Sequence, residues 1–431
     1  MLTIERFSEM TPQRLSRIMA RSTDDYRPIM EQTLQILERL KDDPQKELLR
    51  EYGLLKDDLT ISDFKVTEKE IQAAVDSLPK TLMTALEKAM DNIVRFHRSQ
   101  LERPLWFTEV SPGILAGRMT RPLDKVGVYI PGGRASYPSS ALMNIIPAKV
   151  ASVNSIIAVT PPSGAFAARP EILAACHLAG ATEIYKLGGA WAVGCLTYGL
   201  AGVPKVDKIV GPGSSWVTAA KMAVFGQVDV DLPAGPSEGF IIADGQADPS
   251  CLAWDFLSQL EHDPQASAIL VTNDMDVAEK ASAIVNRELE TLERSEIVRQ
   301  SITNAAILLV DDLEQAFDLA NRYAPEHLEI VVDDPMSKLG LVQNAGSVFL
   351  GPFSPIPAGD YASGPNHVLP TGGAARAFSG LSVDSFLKKI TFQKLSRQAL
   401  SDIAPTVVTL AKAEGLPAHA RCLEQRELKN S

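Results

Sequence analysis

Val126-Gly-Val-Tyr-Ile130, Ser155-Ile-Ile-Ala-Val159, Glu183-Ile-Tyr-Lys-Leu187 and Lys208-Ile-Val210 are short, near-continuous apolar runs. Stretches of helical character separate them, around 140–152, 166–179, 190–199 and 214–225. A strand apolar on both faces is buried on both faces, so this alternation predicts a parallel sheet covered by helices on each side. A second series repeats the pattern with Gly239-Phe-Ile-Ile-Ala243, Ala268-Ile-Leu-Val-Thr272, Ala306-Ile-Leu-Leu-Val310, Leu328-Glu-Ile-Val-Val332 and Gly346-Ser-Val-Phe-Leu350. Its helices fall near 249–262, 275–295, 312–323 and 334–343. The chain therefore reads as two Rossmann-like, doubly wound α/β units, with a join near Pro233-Ala-Gly-Pro-Ser-Glu238. Before them, residues 1–104 look mostly helical and charge-laced; from Leu381 the strand signal fades and the tail looks helical.

At 431 residues the chain is too long for one compact core. Its 45% hydrophobic and 22% charged residues fit a globular protein in water. A net charge of −11, with no run of Lys or Arg, repels phosphate backbones and argues against a nucleic-acid partner. No segment approaches the ~20 apolar residues of a membrane-spanning helix, and Met1-Leu-Thr-Ile-Glu-Arg6 lacks the apolar core of a signal peptide. The four cysteines are scattered without a C-x-x-C pair, which fits a reducing cytoplasm. Any metal is then left to His, carboxylate or amide ligands.

Four of the six histidines lie in the C-terminal part, in short polar or proline-marked settings. Asp248 is a good N-cap and Pro249 suits the first helical position, so a helix should run from there to about Asp263. Gln259 and His262 then share one face of its last turn and could reach one Zn²⁺; a helix end with a solvated His is the competing reading. Glu326 and His327 open an extended run in which successive side chains diverge. They suit two separate proton-transfer tasks in one pocket better than joint chelation, and an exposed strand edge is the alternative. The loop from Ser354 to Thr371, dense in Pro and Gly, carries Asp360, Tyr361 and His367. Long loops in compact domains are often functional. Glu414 continues a helical stripe of Val407, Leu410 and Ala411, unless the helix simply frays there before Gly415. Gly-rich turns at Pro131-Gly-Gly133, Gly188-Gly-Ala190 and Gly211-Pro-Gly213 each follow a strand and precede a helix, where backbone N–H groups can meet a ligand. None is G-x-G-x-x-G, so a nucleotide site stays open.

Taken together, the segments resemble the histidinol dehydrogenase family over nearly the whole chain. The likeness is carried by Val126-Gly-Val-Tyr-Ile-Pro-Gly-Gly133, Pro204-Lys-Val-Asp-Lys-Ile-Val-Gly-Pro-Gly213, Ala234-Gly-Pro-Ser-Glu238 and Leu257-Ser-Gln-Leu-Glu-His-Asp263. It continues through Ala324-Pro-Glu-His-Leu328, Ala345-Gly-Ser-Val-Phe-Leu-Gly351, Gly359-Asp-Tyr-Ala-Ser-Gly-Pro-Asn-His-Val-Leu-Pro-Thr371 and Ala413-Glu-Gly-Leu-Pro-Ala-His419. The resemblance implies an enzyme that oxidises L-histidinol to L-histidine through the aldehyde with two NAD⁺ and one Zn²⁺ per subunit, in histidine biosynthesis. By position, Gln259, His262, Asp360 and His419 would hold the zinc, and Glu326 and His327 would be the acid–base pair. Ser237, His367 and Glu414 would line the substrate pocket with the ligands and His327. Tyr129, Trp191 and Ser214 would stand on the cofactor side.

The resemblance further implies a homodimer with shared active sites, His419 coming from the partner subunit. The domains it suggests are a helical segment over 1–24, an α/β domain of 25–128 with 238–381 for zinc and catalysis, a second over 129–237 for NAD⁺, and a tail over 382–431 packing on the partner. Three positions depart from the family pattern: Trp191 for Gln, Ser214 for Asn and Leu260 for Ala. The first two remove amides that could bond a cofactor in two directions. Other readings are a paralogue acting on another small polar alcohol, a zinc hydrolase without dinucleotide, and a silent metal-binding relative.

Overall fold

The computed structural model describes residues 2–21, 26–132, 136–231 and 235–428. Gly133 of the first glycine turn, Pro233 and Ala234 of the expected join, and positions 22–24 lie outside these. The chain divides into two compact units, Met1–Gln100 with Leu123–Phe386, and Leu101–Pro122 with Leu387–Ser431. In chain order the strands are β1 (Ile4–Arg6), β2 (Leu105–Ser111), β3 (Ile114–Pro122), β4 (Lys125–Tyr129), β5 (Ser155–Thr160), β6 (Glu183–Lys186), β7 (Lys208–Val210) and β8 (Asp229–Val230). They continue as β9 (Glu238–Ala243), β10 (Ser267–Thr272), β11 (Ala306–Leu309), β12 (His327–Val331), β13 (Ser347–Leu350) and β14 (Leu387–Leu395).

The first unit holds two parallel sheets, as the apolar runs predict. One has the order β6-β5-β4-β7-β8 and the other β1-β11-β10-β9-β12-β13. Along β9 the pleat sends Phe240 and Ile242 into one core and Ile241 and Ala243 into another, so the sheet is buried on both faces. Each fully buried aliphatic side chain contributes roughly 1.5–3 kcal/mol. Helices start where local chemistry allows. Asp248 accepts a hydrogen bond from Ser250 N and Pro249 opens Pro249–Leu260, as expected. Strand order reverses direction at β4 and β7 in the first sheet, and at β9 and β12 in the second. Such switch points leave crevices at strand ends.

In the second unit β14, β3 and β2 form an antiparallel sheet, with Leu387 opposite Pro122 and Leu395 opposite Ile114. Helices Arg397–Ala413 and Pro417–Leu428 follow. The tail is helical as expected, but it opens with β14. All seven residues of β2 are exposed and β14 is largely so, hence neither carries a buried apolar run. The N-terminal segment also opens with a strand: β1 pairs with β11 before helix Pro12–Ala20 begins. Three residues are too few to show a period in sequence.

Candidate active site

Three neighbouring strands of the second sheet start at one level. His327 lies opposite Gly239 on one side and Ser347 on the other. Helix Pro249–Leu260 follows β9 and packs on it, and its C-terminal end delivers Gln259 over Gly239. A Cβ at Gly239 would fall 2.5 Å from Gln259 Cγ, so glycine is what lets the amide lie against the strand. The helix stops at Leu260 rather than Asp263, and His262 sits just past it in a turn, its N–H donating to Gln259 O at 3.4 Å.

Glu326 and His327 are both buried, not an exposed strand edge. Glu326 occupies a bend ahead of the pleat, so its carboxylate does not diverge from the next side chain. Its Oε2 is 3.6 Å from His327 Nδ1 and accepts the Glu238 N–H at 2.9 Å. On the other side of the ring, His327 Nε2 is 3.5 Å from Asp360 Oδ1. Both separations allow charge attraction but exceed a good hydrogen bond. Burial pushes the Glu326 carboxyl up to about 7 despite the pull of His327. Burial opposes a charged His327, yet Glu326 and Asp360 override it and raise the imidazole to about 9. Burial lowers His262, leaving a neutral imidazole with a free lone pair near neutral pH. Asp360 is held below the ordinary range: burial opposes this, but His327, His367 and His262 outweigh it. His367 is pinned through Nδ1, 2.8 Å from Asp360 O, and burial lowers it too.

Glu238, one strand over from Glu326, is bound by the Arg21 guanidinium at 2.9 and 3.1 Å and accepts the Gly372 N–H at 2.8 Å. Arg21 stacks over Tyr323, 3.8 Å from its ring centroid. This buried pair steadies the backbone N–H that orients Glu326.

A cleft of about 730 Å³ opens beside the Glu326–His327 pair. Ser237, His262, Glu326, His327, Asp360 and His367 line it, together with Tyr129 at the end of β4 and Ser214 just beyond β7. The cleft thus lies at the switch point of the first sheet and over the starting edge of the second. Gln259 is fully buried, and neither its Oε1 nor its Nε2 has a hydrogen-bond partner. A buried unpaired amide costs free energy unless something else engages it. The oxygens of Gln259 and Asp360 and the nitrogen of His262 are a donor set that suits Zn²⁺. Among the described residues no three His, Cys, Asp or Glu side chains group as a metal site; the first unit offers His262 and Asp360, plus the amide.

Trp191 is absent from the cleft lining. Its Nε1 donates to Glu47 Oε1 at 3.3 Å, and its ring packs edge-on to Tyr52. Glu414 and His419 belong to the second unit. Both are exposed, Glu414 as the C-cap before Gly415, and Leu410 of the expected stripe is 58% exposed. Sequence reading missed the helix N-terminus at Tyr137, Ser139 and Ser140, which lines the cleft. Tyr137-Pro-Ser-Ser140 did carry the signal, a proline at the first helical position.

A cleft at the strand ends of two doubly wound parallel sheets, with a buried acid–base pair in its wall, defines an enzyme of the α/β class. The family model for histidinol dehydrogenase matches residues 19–427. A histidinol dehydrogenase of Methanothermobacter thermautotrophicus is 44% identical over 98% of this chain and 99% of its own length. One from Bacillus cereus is 49% identical over 88% of each. The crystal structure of histidinol dehydrogenase from Elizabethkingia anophelis superposes with a TM-score of 0.94 at 37% identity, over 100% of this chain and 98% of that one. The chain belongs to the histidinol dehydrogenase family.

Proposed function

We propose that this protein oxidises L-histidinol to L-histidine through the aldehyde, with two NAD⁺ and one Zn²⁺ per subunit, as a step of histidine biosynthesis in the cytoplasm. One observation carries the reading beyond family membership. The file Glu326–His327–Asp360 lies in the cleft wall, and the unpartnered Gln259 amide is fully buried on the same strand edge.

Gln259, His262 and Asp360 would hold the zinc, with His419 of a second copy as the fourth ligand. The metal supplies, when bound, a Lewis acid that anchors the substrate imidazole. NAD⁺ supplies the hydride acceptor, and the switch-point loops with Tyr129 and Ser214 form its berth. Trp191 stands outside this berth. His327 takes the carbinol proton in the first half-reaction. Glu326 removes a proton from the water that hydrates the aldehyde in the second. Ser237, His367 and the second copy's Glu414 orient the substrate.

Both bases act deprotonated, so turnover should rise with pH, first through about 7 for Glu326 and again toward about 9 for His327. Glu326→Gln should slow oxidation of supplied histidinal far more than the first step; equal loss in both would overturn this division. The decisive assay incubates zinc-loaded protein with L-histidinol and NAD⁺. The expected result is about two reduced nicotinamides per histidine formed, abolished by a chelator. No turnover of histidinol at high NAD⁺ would rule the reading out in favour of another small alcohol.

A further inference from the structure

His97, on helix Lys80–Arg98, is fully buried and does not line the cleft. Its Nδ1 lies 2.8 Å from Ile93 O, so that nitrogen carries the proton and Nε2 is left as an acceptor. Nε2 faces Asn366 Nδ2 at 3.4 Å. The orientation of the Asn366 amide is fixed by two other bonds: Nδ2 donates to Met143 O at 2.6 Å, and Oδ1 accepts Val368 N at 2.9 Å. Met143 O is free to accept because Pro147 sits inside helix Pro138–Val150. Proline has no N–H, so the carbonyl four residues earlier loses its helical partner. Asn366 fills that vacancy and spends its second N–H on His97.

The same helix grips the loop at two more points. Asn92 Nδ2 donates to Ala362 O at 2.9 Å. Gly364, at φ +119°, lies so close that a Cβ there would come within 3.0 Å of Asn92 O. The gripped segment, 362–368, begins two residues after Asp360 and contains His367.

The geometry points to His97 and Asn366 as a latch that holds the Asp360–His367 loop in its working position, with His97 a positioning residue. The inference rests on the proposed roles of Asp360 and His367 and explains why a buried imidazole lies behind, not in, the cleft. It also assigns the internal Pro147 a use, as the source of an unpaired carbonyl. His97→Phe keeps the ring volume but offers no acceptor. His97→Gln places an amide oxygen near the position of Nε2.

The test measures hydrogen–deuterium exchange at 360–369 together with steady-state kinetics. In His97→Phe, exchange across 360–369 should quicken by about tenfold, the scale of one lost buried hydrogen bond. KM for L-histidinol should rise by a similar factor, about tenfold, with kcat changed less than about twofold. His97→Gln should restore both. Unchanged exchange in the Phe variant, or a Gln variant as defective as Phe, would overturn the latch. If the wild-type protein does not turn over histidinol but exchange still follows the Phe and Gln pattern, the latch stands and the proposed reaction falls.

Discussion

Below the catalytic wall, the carboxyl of Glu329 on β12 interacts with that of Asp255, one helical turn before Gln259. Two neighbouring carboxyls do not readily both ionise, and burial together with Asp255 pushes Glu329 up to about 9. Its Oε2 has no partner, so no donor offsets the burial. Glu329 keeps its proton in the folded state long after the unfolded chain has lost its own. Its stabilising contribution is therefore complete below the ordinary carboxyl range and falls steadily as pH rises to about 9. Glu329→Gln keeps a donor toward Asp255 and removes this dependence. The variant should melt with the wild type near pH 4 and several degrees above it at pH 9. Equal melting temperatures at both pH values would mean that the two carboxyls do not share a proton.

Helix Gly189–Tyr198 carries one of the three departures from the family pattern. Trp191 stands at its start, where a resemblance suggests a cofactor contact. Its indole donates to Glu47, which Arg39 already binds at 3.0 Å through two nitrogens. Tyr52 packs against the indole while its hydroxyl bonds both Gly188 N and Gly188 O at 3.0 Å. Trp191 thereby joins this helix to Pro44–Tyr52 behind the turn. Trp191→Ala should lower the melting temperature by a few degrees, with KM for NAD⁺ nearly unchanged. A raised KM without loss of stability would make the indole a cofactor contact. The strands that build the site were legible because β4 to β13 are mostly apolar on both faces, a pattern that needs no partner to be seen. β2 and β14 were not, since nearly all of their residues face solvent and neither carries a buried apolar run. The site was legible less from each residue than from their order: a lone Gln259 or His262 had a good bland alternative. What could not be read was Pro147, Asn366 and His97, whose link depends on a helix carbonyl left free far away in sequence.

The second unit leaves large apolar side chains in solvent. Leu105 is 54% exposed, Phe107 61% and Val110 66%, on one strand of a three-stranded sheet. Apolar side chains left exposed along a strand suit an interaction surface, and a second copy of the chain is the proposed cover. Glu414 and His419 lie in this unit, exposed, while Gln259, His262 and Asp360 belong to the first. If the tail of one copy serves the cleft of another, two inactive variants should repair each other. His262→Ala spoils only the cleft and His419→Ala only the tail. Unfolded together and refolded at equal amounts, half the dimers would be mixed, and each of those would have one cleft intact and met by an intact tail. About a quarter of wild-type activity should then return, from two proteins that are separately inactive. Zinc content should recover in the same proportion. A mixture that stays inactive while running at twice 46.6 kDa would show that His419 does not complete the site of a partner.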